Sequence, residues 1–387
     1  MKKIILHPIQ YIEDSPWFKT DNLKINRRCK NIFIVSHLGQ LKQVESLILK
    51  EKIESSLLII VYTKKNLRVP QSIQSQYNKT LFVDSILFLL PNNPNNYKLK
   101  SLIYMKRNYK YLIEKIKPKN LYLLSFENHY CLLANVAISN NIKLILIDEG
   151  TATYKEPNLS AYHKEHSFFR KIIAKIFGVD SSFNRIKNFD TVYGAFPKLL
   201  EPLFYANSYK YFFAYENTEK IEGIVKLSKI YNITHNDFIY VNQRYPIQEE
   251  DFVNTLLTIL DTISKFYNSN IFIKMHPKDS EELKAFFFNA LVNYSNIFFI
   301  KENEFLIEPS IKEINPKGII GLTSTTLVYT PFISINTSKI YSIVPWFLEL
   351  LPKENNQKAI SILKNHYTIL EKFNHIKSLY NEESLNE

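Results

Sequence analysis

Cysteine, glycine and long apolar runs are all scarce in this chain of 387 residues. Its two cysteines, Cys29 and Cys131, are too few for a disulfide framework or a four-thiolate zinc site, so a reducing, cytoplasmic setting fits. Only seven glycines occur, and none forms GxG or GxxxxGK[ST], which excludes the usual dinucleotide fingerprint and the P-loop ATPases. No apolar run approaches the roughly eighteen residues of a membrane span, so none is predicted.

Clustered carboxylates and an even charge distribution are also lacking. No DxD occurs, which argues against an enzyme that holds a nucleotide sugar through a divalent cation. Residues 1–150 contain 23 Lys+Arg and 11 Asp+Glu, whereas residues 151–387 contain 26 of each, so the formal excess of +12 lies in the first part. This separation predicts a polyanionic partner such as nucleic acid, an acidic membrane or an acidic polysaccharide.

The length and the 45% content of hydrophobic residues predict two packed domains of the α/β class. Apolar runs typical of buried parallel strands alternate with helical patterns in each. We expect a basic N-terminal Rossmann-like domain over residues 1–200 and a second one over 201–345, in which 205–236 is linking sequence. The sequence leaves open whether the helices of 346–387 pack back on the first domain. The predicted strands are 31–35, 57–62, 80–82, 121–124, 143–147, 190–196, 238–242, 270–275, 296–300, 318–322 and 339–344.

Polar residues follow several of these strands. Asp148-Glu149-Gly150 comes directly after strand 143–147, where a carboxylate could act as a general base or simply form an acidic turn. His276-Pro277 ends strand 270–275, with Lys274 and Lys278 beside it. Because open parallel sheets bind ligands at the carboxyl ends of their strands, these residues are candidates for a site.

The segment 318–326 (GIIGLTSTT) is an apolar strand that opens into consecutive hydroxyl residues. Ser324 or its neighbours could either hold a phosphate at the start of a helix or merely cap that helix. Glu308, sixteen residues before Ser324, could accept two ribose hydroxyls or be solvated.

Together these segments resemble the bacterial sialyltransferases, whose short motifs are an acidic pair followed by glycine, then His-Pro, then a Ser/Thr pair. Here they occur in the family's order as Asp148-Glu149-Gly150, His276-Pro277 and Ser324-Thr325. The resemblance spans roughly residues 120–330. It implies a GT-B fold of two Rossmann-like domains facing a central cleft, CMP-sialic acid as donor, no metal or other cofactor, and inversion at the anomeric centre.

The resemblance also implies roles. Glu149 would deprotonate the acceptor hydroxyl, with Asp148 as support, and His276 would assist the departing CMP phosphate. Donors aimed at that phosphate lower the barrier because negative charge builds on it in the transition state. The residues expected to bind the donor are Ser324, Thr325, Thr326, Glu308, Pro277 and Lys274.

Within this family the charge excess favours a capsule polysialyltransferase, because its acceptor carries one carboxylate per sugar. Two basic clusters could bind that chain: one follows strand 57–62, and the other lies on the polar side of a helix over 101–116, opposite a buried apolar face. A solvated basic surface and a membrane-surface role are the alternatives for these charges. The expected acceptor-binding residues are Lys64, Lys65, Arg68, Lys106, Arg107 and Lys110.

Two other functions stay open at this point. One is a lipooligosaccharide sialyltransferase that acts on a terminal galactose, and the other is a polyanion-binding protein without chemistry. We expect CMP-sialic acid and an acidic oligosaccharide or polysaccharide as partners, with peripheral association with the inner membrane or a capsule export complex. Nucleic acid is not expected, because neither a zinc-finger spacing nor an RNA-recognition aromatic motif occurs.

Overall fold

The computed structural model describes residues 28–64, 67–91, 99–155, 172, 176–179, 188–216, 226–276, 279–301 and 305–386. The chain divides into two compact units, Met1–Ala214 (unit 1) and Tyr215–Glu387 (unit 2). Each unit contains one parallel sheet and its own helices. The predicted α/β class with two Rossmann-like domains is confirmed.

The sheet of unit 1 has seven described strands, all parallel, in the order β3-β2-β1-β4-β5-β6-β7. All five residues of β1 (NIFIV) are buried, as expected of a strand covered on both faces. The strands of unit 1 are β1 (Asn31–Val35), β2 (Ser56–Thr63), β3 (Asp84–Leu90), β4 (Asn120–Leu123), β5 (Lys143–Ile147), β6 (Asn188–Gly194) and β7 (Tyr205–Tyr211). Its helices are α1 (Leu38–Glu51), α2 (Arg68–Gln76), α3 (Leu99–Ile116), α4 (Asn128–Ile138) and α5 (Pro197–Leu200).

The sheet of unit 2 has six described strands, also parallel, in the order β10-β9-β8-β11-β12-β13. Its strands are β8 (Phe238–Val241), β9 (Ile271–Lys274), β10 (Ile297–Ile300), β11 (Gly318–Gly321), β12 (Lys339–Ser342) and β13 (Lys377–Ser378). Its helices are α6 (Leu227–Tyr231), α7 (Glu249–Tyr267), α8 (Glu281–Leu291), α9 (Ile307–Ile314), α10 (Thr325–Ile333), α11 (Val344–Leu350) and α12 (Gln357–Leu370). In both units the strand order reverses beside the first strand, at β1/β4 and at β8/β11, which is where doubly wound sheets bind ligands.

Amphipathic helices cover these sheets as their sequences predict. The predicted helix over 101–116 is confirmed as α3, and its expected apolar face is buried. The residues after 345 belong to unit 2, where Leu363 of α12 and Leu379 after β13 lie in the same core as Phe238. Their packing on the first domain stays a prediction. The buried residues of the α3 face are Leu102, Met105, Tyr109, Ile113 and Ile116.

Two expectations about unit 1 are wrong. Residues 79–81 form a short 3-10 turn, not a strand, because the Asn78 side chain accepts from the Thr80 N–H and the strand begins only at Asp84. The stretch expected to start the linking region contains β7, and the unit boundary falls after Ala214, not after residue 200. β7 is an edge strand whose residues are only partly buried, so it has no continuous apolar run to mark it.

Of the helices in the described ranges, none has the length and apolarity that crossing a bilayer requires.

Gly318, at the start of β11, is required by the close approach of its neighbours. A Cβ placed there would lie 2.4 Å from Phe238 Cε1 and 2.7 Å from the Lys339 carbonyl oxygen. Gly318→Ala should therefore lower the free energy of unfolding of unit 2 by about 1–3 kcal/mol, the usual cost of overpacking. Chemical denaturation measures it. Gly321→Ala is the matched control, since its nearest contact would be 3.4 Å away; equal losses in both variants would contradict the packing argument.

Candidate functional site

The acidic motif lies at the carboxyl edge of the unit 1 sheet, directly after β5. Asp148 accepts from the Gly150 N–H at 2.7 Å, and the Glu149 N–H donates to Thr153 Oγ1 at 2.9 Å. Gly150 has a φ of 120°, a conformation that residues with a Cβ rarely adopt. The glycine of the motif is therefore needed for the turn that separates the two acids.

Asp148 is turned into unit 1 and not toward solvent. It is 3% exposed, and its Oδ2 accepts from Tyr154 Oη at 2.5 Å and from the Ala195 N–H at 3.3 Å. Burial, followed by the nearby Asp148 charge, raises the pKa of Tyr154 far above its usual value, so its hydroxyl remains a donor. Asp148 therefore does not face the edge of the sheet, and it fixes the turn on which Glu149 stands.

Glu149 is the acid that reaches the edge, and its side chain is 17% exposed. Its Oε1 accepts from Gln40 Nε2 at 2.7 Å and lies 2.8 Å from His37 Nε2. His37 follows β1, is 44% exposed on its side chain, and caps α1 by accepting from the Gln40 N–H. The structure thus joins the end of β5 to the end of β1.

Sequence analysis missed His37 and Gln40. The signal available was their position just after the first strand, where the strand order of a doubly wound sheet reverses. No local motif marks them, because their partner Glu149 lies more than 100 residues later in the chain, with separations of 112 and 109.

In unit 2 the hydroxyl run lies at the corresponding position. Thr323 donates through its N–H and its Oγ1 to Gln243 Oε1, at 2.9 and 2.7 Å, which joins the ends of β11 and β8. Ser324 is 5% exposed and caps α10 by accepting from the Thr326 N–H at 3.3 Å. Thr325, the first residue of the helix, is half-buried.

The His-Pro turn is closed by Asp279. The His276 N–H donates to Asp279 Oδ2 at 2.8 Å, and the Asp279 N–H donates back to the His276 carbonyl at 3.0 Å. Asn242, after β8, donates to the same Oδ2 at 2.8 Å. Pro277 lies outside the described residues, and His276 itself is half-buried.

Lys274, the last residue of β9, and the half-buried Glu308 interact electrostatically. Lys274 is 3% exposed, donates to the Met275 carbonyl at 2.8 Å and lies over the Phe305 ring. Burial lowers the pKa of Lys274 to about 8, and the Glu308 charge opposes that shift. Burial raises the pKa of Glu308, whose Oε1 accepts from Thr326 Oγ1 at 3.0 Å. The Thr326 hydroxyl thus donates to Glu308, the residue expected to bind the ribose of the donor.

A cavity of about 390 Å³ opens in unit 2 where β8 ends. Its walls include Gln243, which bonds the hydroxyl run, and Asp279, which closes the His-Pro turn. Arg244, Tyr245 and Ser280 contribute further polar groups. The cavity therefore lies among the residues that link the two motifs of unit 2.

The basic residues expected to bind the acceptor lie on unit 1. Lys64 and Arg68 are exposed there, whereas Lys65 lies outside the described residues. On α3, Lys110 is exposed, Arg107 is half-buried, and Lys106 donates to the Phe177 carbonyl at 2.7 Å. Unit 1 contains 32 Lys+Arg and 16 Asp+Glu, and unit 2 contains 17 and 21, so the boundary between the units is also a boundary of charge.

The model of the alpha-2,8-polysialyltransferase (POLYST) family matches residues 31–343, which is most of the chain and includes all three motifs. The chain belongs to this family. It is therefore a glycosyltransferase, and its reaction is of the sialyl-transfer class. No curated protein matches the sequence.

Solved structures of similar fold include a bacterial sialyltransferase, a UDP-GlcNAc 2-epimerase and a protein solved with UDP. The GT-B domain of a sialyltransferase from Photobacterium damselae is 12% identical over 90% of this chain and 97% of its own, with a TM-score of 0.51. The UDP-GlcNAc 2-epimerase from Methanocaldococcus jannaschii is 15% identical over 93% of this chain and 91% of its own, also with a TM-score of 0.51. S. aureus MnaA, solved with UDP, is 13% identical over 90% of this chain and 90% of its own, with a TM-score of 0.52. The fold is GT-B.

The depressed pKa of Lys274 predicts a pH dependence of stability. Between about pH 8 and the ordinary lysine value of 10.5, the unfolded chain holds a proton that folded Lys274 has lost. Unfolding then takes up a proton, so this group makes the free energy of unfolding rise with pH, by up to about 1.4 kcal/mol per unit. Lys274→Met should lack that part of the slope. Denaturation at several pH values measures the free energy of unfolding of both proteins. Equal slopes of that energy against pH above pH 8 would contradict the lowered pKa of Lys274.

Proposed function

We propose that this chain is an inverting, metal-independent polysialyltransferase. It transfers sialic acid from CMP-sialic acid to the non-reducing end of a growing polysialic acid chain. Family membership and the GT-B fold support sialyl transfer. The observation that carries the mechanism is the Glu149 carboxylate, held at the carboxyl edge of unit 1 by the side chains of His37 and Gln40.

Glu149 acts as the general base in this proposal. The acceptor hydroxyl loses its proton to the carboxylate while its oxygen attacks the anomeric carbon. Asp148 does not contact the acceptor but fixes the turn through the Gly150 N–H and the Tyr154 hydroxyl. Attack on the face opposite the departing CMP gives inversion.

Unit 2 supplies the groups that act on the donor. His276 stabilises the negative charge that builds on the CMP phosphate, and Thr325 binds that phosphate at the start of α10, with Ser324 shaping the helix terminus. Glu308 accepts the ribose hydroxyls, and the buried Lys274 offsets its charge. The independence from metals and cofactors stays a prediction.

The acceptor binds along unit 1 through its excess of basic residues. Parallel neighbouring strands lie roughly 4.8 Å apart, so Lys64, after β2, is about 14 Å along the sheet edge from Glu149, after β5. A chain of anionic sugars can span that distance. The residues proposed to bind the acceptor also include Arg68 and the basic cluster on α3. The expected setting of the protein remains the cytoplasm, with peripheral attachment to the inner membrane or an export complex.

Glu149→Gln tests the base, because glutamine keeps the shape and cannot take a proton. CMP release from CMP-sialic acid, with a short oligosialic acid as primer, should fall by about 10²- to 10⁴-fold. Chromatography of the products should show that the unmodified protein lengthens the primer. His276→Ala should also lower turnover.

Glu201→Gln is the control for Glu149→Gln, since Glu201 is an exposed carboxylate at the end of α5 in the same unit. Unchanged CMP release in Glu149→Gln would overturn the role of the base. A galactoside elongated in preference to oligosialic acid would instead support the lipooligosaccharide activity. Absence of CMP release with any sialylated primer and with any galactoside would leave only polyanion binding.

Charge reversal tests the acceptor surface. Lys64→Glu with Arg68→Glu should raise the KM for oligosialic acid about tenfold, leave the KM for CMP-sialic acid unchanged, and weaken the dependence of acceptor KM on salt. Lys265→Glu, on an exposed position of unit 2, is the matched control. An acceptor KM that is equal in the two variants would exclude this part of the edge.

A further inference from the structure

The tautomer of the neutral His37 ring follows from its two neighbours. Its Nδ1 accepts from the Gln40 N–H at 3.4 Å, and a backbone N–H can only donate. The neutral ring must therefore carry its proton on Nε2. That Nε2–H donates to Glu149 Oε1 at 2.8 Å.

The orientation of Gln40 is determined in the same way. Its Oε1 accepts from the Ser36 N–H at 2.6 Å and from Tyr130 Oη at 3.3 Å, so its NH₂ group must face Glu149. Gln40 is 1% exposed and Tyr130 is fully buried. Burial raises the pKa of Tyr130 well above its usual value, so its hydroxyl stays a donor. The amide is therefore held rigidly.

We propose that His37 and Gln40 are positioning residues that select which oxygen of Glu149 reacts. Both donate to Oε1, and within the described residues no hydrogen bond is made to Oε2. Oε2 is then the atom that takes the acceptor proton. The O–H bond of the acceptor breaks as its oxygen bonds to the anomeric carbon, and the electron pair of the broken C–O bond leaves with CMP.

His37 does not take that proton, because its Nε2 already carries one and its Nδ1 caps α1. Its contribution is to orient the carboxylate and to hold it at the edge. This inference rests on the proposed role of Glu149 and adds two residues to it. A purely structural role for His37 is the competing explanation, since capping alone would stabilise α1.

Two isosteric substitutions separate these roles. His37→Gln places an amide N–H near the position of Nε2, so it keeps the donor to Glu149 and loses the cap. His37→Asn places an acceptor near Nδ1, so it keeps the cap but is too short to reach Glu149. We expect His37→Asn to lower kcat about 10- to 100-fold with the KM for CMP-sialic acid unchanged. We expect His37→Gln to restore kcat to within about threefold, with a lower melting temperature than His37→Asn.

A double-mutant cycle tests whether His37 works through Glu149. In the Glu149→Gln background, His37→Asn should cause no further loss of the residual CMP release, because the oxygen it orients no longer acts as a base. An undiminished further loss there would overturn the inference. So would an unchanged kcat in His37→Asn, or an equal fall in both His37 variants.

These results are distinguishable from a failure of the proposed function. Unchanged activity in Glu149→Gln removes the base itself, and with it the inference. Low activity in Glu149→Gln with full activity in His37→Asn removes only the positioning role. Melting temperatures of the unmodified protein and of the four variants, measured beside kcat, show whether a loss of rate follows a loss of folding.

Discussion

Parallel strands end at the same edge of their sheet, and the candidate residues of both units depend on that constraint. In unit 1 it brings His37 to within 2.8 Å of Glu149, although 112 residues separate them. In unit 2 it brings Gln243 to Thr323, 80 residues apart. The loops contribute short turns, such as that closed by Asp148 and Gly150. The sheets determine which turns meet.

The fold could be predicted where burial on both faces leaves a continuous apolar run. Strands β1 and β5 are of this kind, and the sequence marks them without ambiguity. β7 could not be predicted, because an edge strand needs no such run, and its residues are largely polar or tyrosine. The error at 80–82 has a local cause, because the side chain of Asn78 caps a 3-10 turn over Lys79–Leu81.

The site could be predicted only in part, for a related reason. A sequence shows that Asp148 and Glu149 follow a strand, but not which of them faces inward. That choice depends on Tyr154, whose hydroxyl donates to Asp148 in the interior. The partners of Glu149 were missed because they follow a different strand, and no spacing in the chain encodes that pairing. Motifs thus identify turns, whereas strand order determines contacts.

Although unit 1 is rich in lysine and arginine, the partners of Glu149 are a histidine and a glutamine. A base that serves a polyanionic acceptor must stand where basic residues are abundant, yet a lysine bonded directly to it would stabilise its charge and reduce its basicity. Unit 1 has twice as many basic as acidic residues, and still Glu149 Oε1 is bonded by an imidazole and an amide. These two donors orient the carboxylate, and within the described ranges no lysine or arginine forms an ion pair with it. In the proposed mechanism, attraction of the acceptor and activation of its hydroxyl are therefore assigned to different side chains of one domain.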